Sequence, residues 1–185
     1  MSYIFIPYYS ATGVVERLAS HVARGVIMEG LEARLCEIPS LQKVDALEQM
    51  NDIALSLEQS LGVIMGSPTR FGHMAAPISA FWDRTASIWA SGSLVGKPAS
   101  VFSASNTVTG NQATLLSMLT PLLHHGMLVL GVPNEGGGGQ LDSLGAPYGA
   151  YTNEQNDQAD LPQWSVEQAV VIGRRVAVLA KRLNS

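Results

Sequence analysis

The chain has 185 residues, 46% hydrophobic and only 14% charged, with a net charge of −4 and a pI near 5.5. This length supports one well-buried domain over residues 1–185 rather than two cores, and the composition excludes a disordered chain. The acidic balance and eleven mostly scattered basic residues exclude nucleic acid as the main partner, since phosphate-backbone binding needs clustered Lys and Arg.

The run Tyr3-Ile4-Phe5-Ile6-Pro7-Tyr8 reads as a buried strand that ends abruptly in Tyr9-Ser10-Ala11-Thr12-Gly13. A helical pattern follows at Val15, Leu18, Ala19, Val22, Ala23 and Val26. The turn brings the hydroxyls of Ser10 and Thr12 together with the unpaired N–H groups of a helix's first turn, a place that favours an anion. It contains no Lys or Arg, so a phosphate there would be held by neutral donors and the helix dipole. The simpler reading is a helix capped by Ser10 or Thr12.

Gly30 stops this helix and Glu32–Ile38 alternates as a second strand. Residues 39–60 are weakly patterned, a connection with one short helix. Leu61–Gly66 reads as a third, buried strand ending in the turn-rich loop Ser67-Pro68-Thr69-Arg70-Phe71-Gly72. A helix is expected from about Ala75, then a loop at Trp89-Ala90-Ser91-Gly92. A fourth strand at Lys97–Ser103 leads into a second hydroxyl-rich loop, Ala104-Ser105-Asn106-Thr107-Val108-Thr109-Gly110. A helix from about Asn111 runs to His124-His125-Gly126, followed by a fifth strand at Met127–Val132. Residues 134–163, with the Gly136–Gly139 run, form an irregular excursion, and a last helix takes Val166 to Leu183. Alternating strands and helices with apolar strands predict an α/β fold, a five-stranded parallel sheet covered on both faces. Ligands of such sheets bind beyond the carboxyl ends of the strands, where the loops at 10–15, 67–74 and 104–111 would meet.

Several phosphate and catalytic motifs are absent. No G-x-G-x-x-G follows a strand, and Gly92–Pro98 is one residue short of a P-loop, with Pro98 where Ser or Thr is required. There is no G-x-S-x-G elbow. His124 and His125 are adjacent, so a helix points them about 100° apart, and no cluster supports a metal. What remains is a neutral phosphate loop beside two loops suited to a planar polar ring. A phosphorylated flat heterocycle fits, with flavin mononucleotide (FMN) the natural candidate. Cys36, the single cysteine, is expected as a buried core thiol. With no internal disulfide, no membrane-length apolar run and no basic leader, the expectation is a soluble cytoplasmic protein.

Tyr8-Tyr9-Ser10-x-x-Gly13, Gly66-Ser67-Pro68-Thr69-Arg70-Phe71-Gly72-His73-Met74, Trp89-Ala90-Ser91-Gly92, Ala99–Ser103, His124-His125-Gly126-Met127 and Pro147-Tyr148-Gly149-Ala150 stand in this order. Together they span most of the chain and resemble the flavodoxin-like NAD(P)H:quinone oxidoreductases once called tryptophan-repressor-binding proteins (the WrbA group). The resemblance implies a flavodoxin-like sheet of order 2-1-3-4-5, FMN as cofactor, NADH or NADPH as co-substrate, a quinone as acceptor and a homotetramer with flavin sites near subunit interfaces. By it, Ser10, Ala11, Thr12, Gly13, Val14 and Val15 hold the FMN phosphate. Pro68, Thr69, Arg70, Phe71 and Gly72 border the isoalloxazine. Ala104, Ser105, Asn106, Thr107, Val108 and Thr109 cover its other edge, and His124 reaches the site. Trp89 and Thr12 line the pocket where nicotinamide and quinone alternate. No protein side chain is assigned as catalytic, because the flavin carries the redox chemistry.

Two departures stand out: Thr12 where the family usually has tyrosine, and Asn106–Thr109 where it usually has a Gly-rich loop. The added Cβ atoms of Val108 and Thr109 are expected to limit backbone approach and positive φ. Plainer readings stand beside the functional ones. Arg70 could pair with a surface carboxylate, Phe71 could be core, Trp89 could pack at an interface, and His124 could cap a helix C-terminus. Trp82 and Trp164 read as packing residues. Two other function classes remain: a flavodoxin-type electron carrier, for which −4 with scattered signs is a weak docking face, and a non-catalytic flavodoxin-like regulator.

Overall fold

A computed structural model of the chain describes residues 2–133, 147–153 and 160–184. The N-terminal apolar run forms β1 (Tyr3–Tyr8), buried at every position. It lies between β2 (Glu32–Glu37) and β3 (Gly62–Arg70), parallel to both. β5 (Pro98–Ala104) continues the sheet beside β3, and a short β6 (Leu128–Val129) follows it, giving the order β2-β1-β3-β5-β6. The central strands are apolar on both sides because both faces are covered. Tyr3 and Phe5 face a cluster with Met50, Ile78, Phe81, Leu115 and Met118. Ile4 and Ile6 face one with Leu18, Val22, Ile172 and Val176. α1 (Val14–Met28) and α6 (Gln163–Leu183) cover the second face; α2 (Ala46–Gln59), α3 (Ala76–Asp83) and α5 (Val108–His124) cover the first.

The order 2-1-3-4-5 is observed for the parallel strands, with two additions. β4 (His73–Met74) pairs antiparallel with β3. The fifth position is shared: β6 (Leu128–Val129) pairs with Pro98 and Ala99, and β7 (Ala150–Thr152) pairs with Phe102–Ala104. The strand expected over 127–132 is therefore short, and its upper half is supplied by β7, from within the stretch 134–163 expected to be irregular. Most of that expected excursion, residues 134–146 and 154–159, lies outside the described residues.

Other boundaries also move. Residues 39–60 contain a full helix, α2, whose buried positions Ala46, Met50, Ala54 and Leu57 make only a narrow stripe. β3 does not end at Gly66 but continues to Arg70, because its pairing with β5 runs as far as Pro68. Trp89 is not in a loop; it sits on α4 (Ala86–Ser91). α5 begins at Val108, three residues early. Cys36 is half-buried on the edge strand rather than in the core, and burial pushes its thiol pKa up.

α1 and α6 cross at unusually short range. A Cβ at Gly25 would collide with the Val170 carbonyl, and one at Gly173 with the Val22 carbonyl. This crossing fixes the axis of α1, whose N-terminus opens above the end of β1. Gly173→Ala is therefore expected to lower stability by about 1–3 kcal/mol, as overpacking does, although alanine is the better helix former. Urea unfolding of the two proteins checks this; equal or higher stability of the variant contradicts the close crossing.

Candidate functional site

β1 hands the chain to α1 through residues 9–13. The Tyr9 N–H donates to the Gly66 carbonyl at 3.1 Å, which ties the turn to the end of β3. Gly13 is the N-cap at φ 82°, a left-handed conformation that suits glycine, and having no side chain it offers no cap of its own. The N–H groups of Val14 and Val15 lie in the first turn, where no intrahelical carbonyl reaches them. Ser10 Oγ accepts from the Glu16 N–H at 3.3 Å, so the capping reading holds for Ser10 and not for Thr12, which is exposed. Just below, burial, then Glu16 and Glu37, push the Tyr8 phenol up to about 12, which keeps it neutral.

The second loop is a two-residue hairpin. Arg70 pairs with His73, leaving Phe71 at φ 52° and Gly72 at φ 75°. Positive φ at both central positions is the type I′ turn, normally built from Asn-Gly. Phe71 is the one non-glycine residue with positive φ among the described residues, and its ring is fully exposed. An aromatic held in this conformation costs about 1–2 kcal/mol, and such strain collects at functional positions. The core reading of Phe71 is excluded. Arg70 pairs with no carboxylate among the described residues; its guanidinium donates to the Thr69 carbonyl at 3.0 Å.

In the third loop, Ser105 Oγ donates to the Thr107 carbonyl at 2.7 Å and accepts from the Thr107 N–H at 3.0 Å. Thr107 Oγ1 caps α5 by accepting from the Gly110 N–H at 3.1 Å. Val108 and Thr109 are already helical, so the expected conflict between their Cβ atoms and positive φ does not arise.

These loops enclose a cavity of about 530 Å³. It is lined by Ala11, Thr12, Val14 and Val15, by Pro68, Thr69, Arg70, Phe71 and Gly72, and by Ala104, Ser105, Asn106 and Thr107. Thirteen expected residues thus meet in one place. Ser10 and Gly13 shape the turn behind it, and Val108 and Thr109 are not among its lining. Gly110, the last residue of the expected hydroxyl-rich loop, lines it as well, and a Cβ there would press on Thr107 Oγ1 at 2.8 Å. Among the described residues no group of three or more His, Cys, Asp or Glu could hold a metal, and no helix is long and apolar enough to cross a membrane.

Trp89 and His124 are not in this cavity. They line a second one, about 450 Å³, together with Trp82, Thr85, Pro121 and His125. The Trp89 indole N–H donates to the His124 carbonyl at 3.0 Å. Trp82, Thr85 and His125 are buried here, and their role was not visible in the sequence. Trp164 packs its ring 4.9 Å from Tyr151, as a packing residue should.

Residues 9–134 match the family profile described as NADPH-dependent FMN reductase. Over 100% of both chains, the protein is 36% identical to an NAD(P)H dehydrogenase (quinone) of Gluconacetobacter diazotrophicus. It is 37% identical to one of Rhizobium rhizogenes, over 99% of each. Among solved structures, a WrbA-like flavodoxin from Agrobacterium tumefaciens superposes with a TM-score of 0.72 at 22% identity, covering 98% of this chain and 99% of that one. Megasphaera elsdenii flavodoxin follows at 0.61 and 17% identity, covering 95% and 98%. Both structural likenesses show the fold, which is flavodoxin-like.

Two outcomes follow from this geometry. Phe71→Asn supplies the residue that the I′ turn favours and is expected to raise stability by about 1 kcal/mol; a loss would mean that the ring is packed rather than strained. Burial, and secondarily His124, lower the His125 pKa below its ordinary 6.5. The unfolded chain therefore takes up this proton at higher pH than the native one. The associated stability is complete above pH 6.5 and declines as pH falls below it. His21 is shifted the same way, so the comparison is made with His125→Gln: urea midpoints measured from neutral pH down to about pH 5 should fall less steeply in the variant.

Proposed function

The chain belongs to the NADPH-dependent FMN reductase family, and we propose that it is an FMN-dependent NAD(P)H:quinone oxidoreductase. The observation that carries this reading is the cavity above the strand ends, which joins the neutral donors of the first turn to the Arg70 guanidinium and a strained, exposed aromatic. The residues fit the cofactor. The open N–H groups at the start of α1 and the hydroxyls of Ser10 and Thr12 suit a phosphate dianion without a cation in the turn. Thr69, Arg70 and Phe71 would border one edge of a flat ring, and Ala104–Thr107 with Gly110 the other. Among the described residues no second mononucleotide cradle is evident for an adenosine moiety, which favours FMN over FAD. When bound, FMN supplies the two-electron acceptor and donor. The chain's own residues hold the phosphate, orient the ring and shape the space over it.

Trp89 and His124 support an oligomeric site. Within one chain they line a different cavity from the flavin cradle, so the roles assigned to them are met when a second copy brings its Trp89 and His124 over that cradle. We read the assembly as a homotetramer of single-domain chains, cytoplasmic and without a nucleic-acid partner. One shared pocket receiving NADH or NADPH and then quinone gives ping-pong kinetics.

Mass spectrometry of cofactor released from reconstituted protein is expected to show FMN; FAD or no flavin overturns the reading. Thr12→Tyr restores an aromatic surface worth about 0.5–1.5 kcal/mol and should lower KM for NAD(P)H up to roughly tenfold, with KM for benzoquinone little changed. Equal KM values in the two proteins would remove Thr12 from the nicotinamide side.

A further inference from the structure

The second cavity is held together by a hydrogen-bonded clasp that no family feature above requires. α5 ends at His124 with four carbonyls that its own helix leaves open. The Pro121 carbonyl accepts from the His125 N–H at 3.0 Å, Leu123 from Gly126 at 2.9 Å, and Leu122 from Met127 at 3.1 Å. The fourth, His124, accepts from the Trp89 indole at 3.0 Å. Trp89 therefore serves as the last cap of α5, and its orientation is tied to the main chain of His124.

A second contact joins the same two elements. Thr85, buried at the junction of α3 and α4, donates its hydroxyl proton to the Trp82 carbonyl at 2.7 Å. Its oxygen is then an acceptor, and His125 Nε2 lies 2.9 Å away. This places the imidazole proton on Nε2 and leaves Nδ1, also buried, without a partner among the described residues. The ring packs 5.4 Å from that of Trp82. The relay His125 Nε2–H to Thr85 Oγ–H to Trp82 carbonyl thus fixes the turn from which α4 and Trp89 depart. An unmatched Nδ1 in a buried ring is a cost that a plain packing residue would avoid.

We propose that His125 and Thr85 are positioning residues for the substrate pocket: their hydrogen bond sets Trp89 and His124 in register with each other. The inference rests on the reading above that Trp89 walls the space used by nicotinamide and quinone and that His124 reaches the same site. Neither His125 nor Thr85 touches the flavin cradle, so the clasp acts on substrate binding and leaves cofactor retention alone.

The test uses FMN-loaded protein and three variants. Thr85→Val keeps the shape and removes the hydroxyl, and Thr85→Ser returns it. Thr85→Val is expected to raise KM for both NAD(P)H and benzoquinone about five- to tenfold, a change that loss of packing alone would not produce, with FMN affinity within about twofold of the parent. Thr85→Ser should bring both KM values back to within about twofold. Trp89→Leu is the reference for the underlying reading. If Trp89→Leu raises KM and Thr85→Val does not, the clasp is overturned and the reading stands. If Trp89→Leu also leaves both KM values unchanged, the reading falls and the clasp with it. A Thr85→Val protein that loses only thermal stability, with unchanged KM, assigns Thr85 to packing.

Discussion

Pairing of the backbone is the constraint on which this molecule depends. In a parallel sheet covered on both faces, interior N–H and C=O groups are used up by neighbouring strands. The donors left open are those at helix N-termini above the strand ends, and α1 supplies them beside Gly13. Where they point is decided far below, at the crossing of Gly25 and Gly173, which lets α1 lie against α6 at backbone contact. Small residues at the base of the fold thus aim the open donors at its top.

The two cavities are built from different materials. The cradle, lined from 11–15, 68–72, 104–107 and Gly110, uses backbone, small hydroxyls, the Arg70 guanidinium and one strained aromatic. The other is walled by indoles and imidazoles held by capped helix ends. The two cavities thereby rest on separate elements, and a change in one can leave the other intact.

Much of this was legible from the residues. β1, α1 and the three strand-end loops follow from apolar runs meeting small hydroxylated residues, and they meet as expected. The misplacements have physical causes. Ser67 and Pro68 look like turn formers, but Ser67 spends its hydroxyl on the Pro68 carbonyl and on the Ala75 N–H, so β3 runs on. α2 buries too few residues to show a strong period. The split fifth strand depends on pairing with β7, twenty residues downstream, which no local pattern reveals. Likewise, the Thr85–His125 contact joins residues forty positions apart, and the separation of Trp89 and His124 from the cradle is a property of three dimensions alone.

The central claim is that one bound flavin passes electrons from a nicotinamide to a quinone. The direct measurement is anaerobic mixing of the FMN-loaded protein, first with one equivalent of NADPH or NADH, then with one equivalent of benzoquinone, while following the flavin's visible absorbance. The account predicts complete bleaching in the first step and complete recovery in the second, with no partner protein present. Flavin that does not bleach, or that bleaches and does not recover with the quinone, would contradict it.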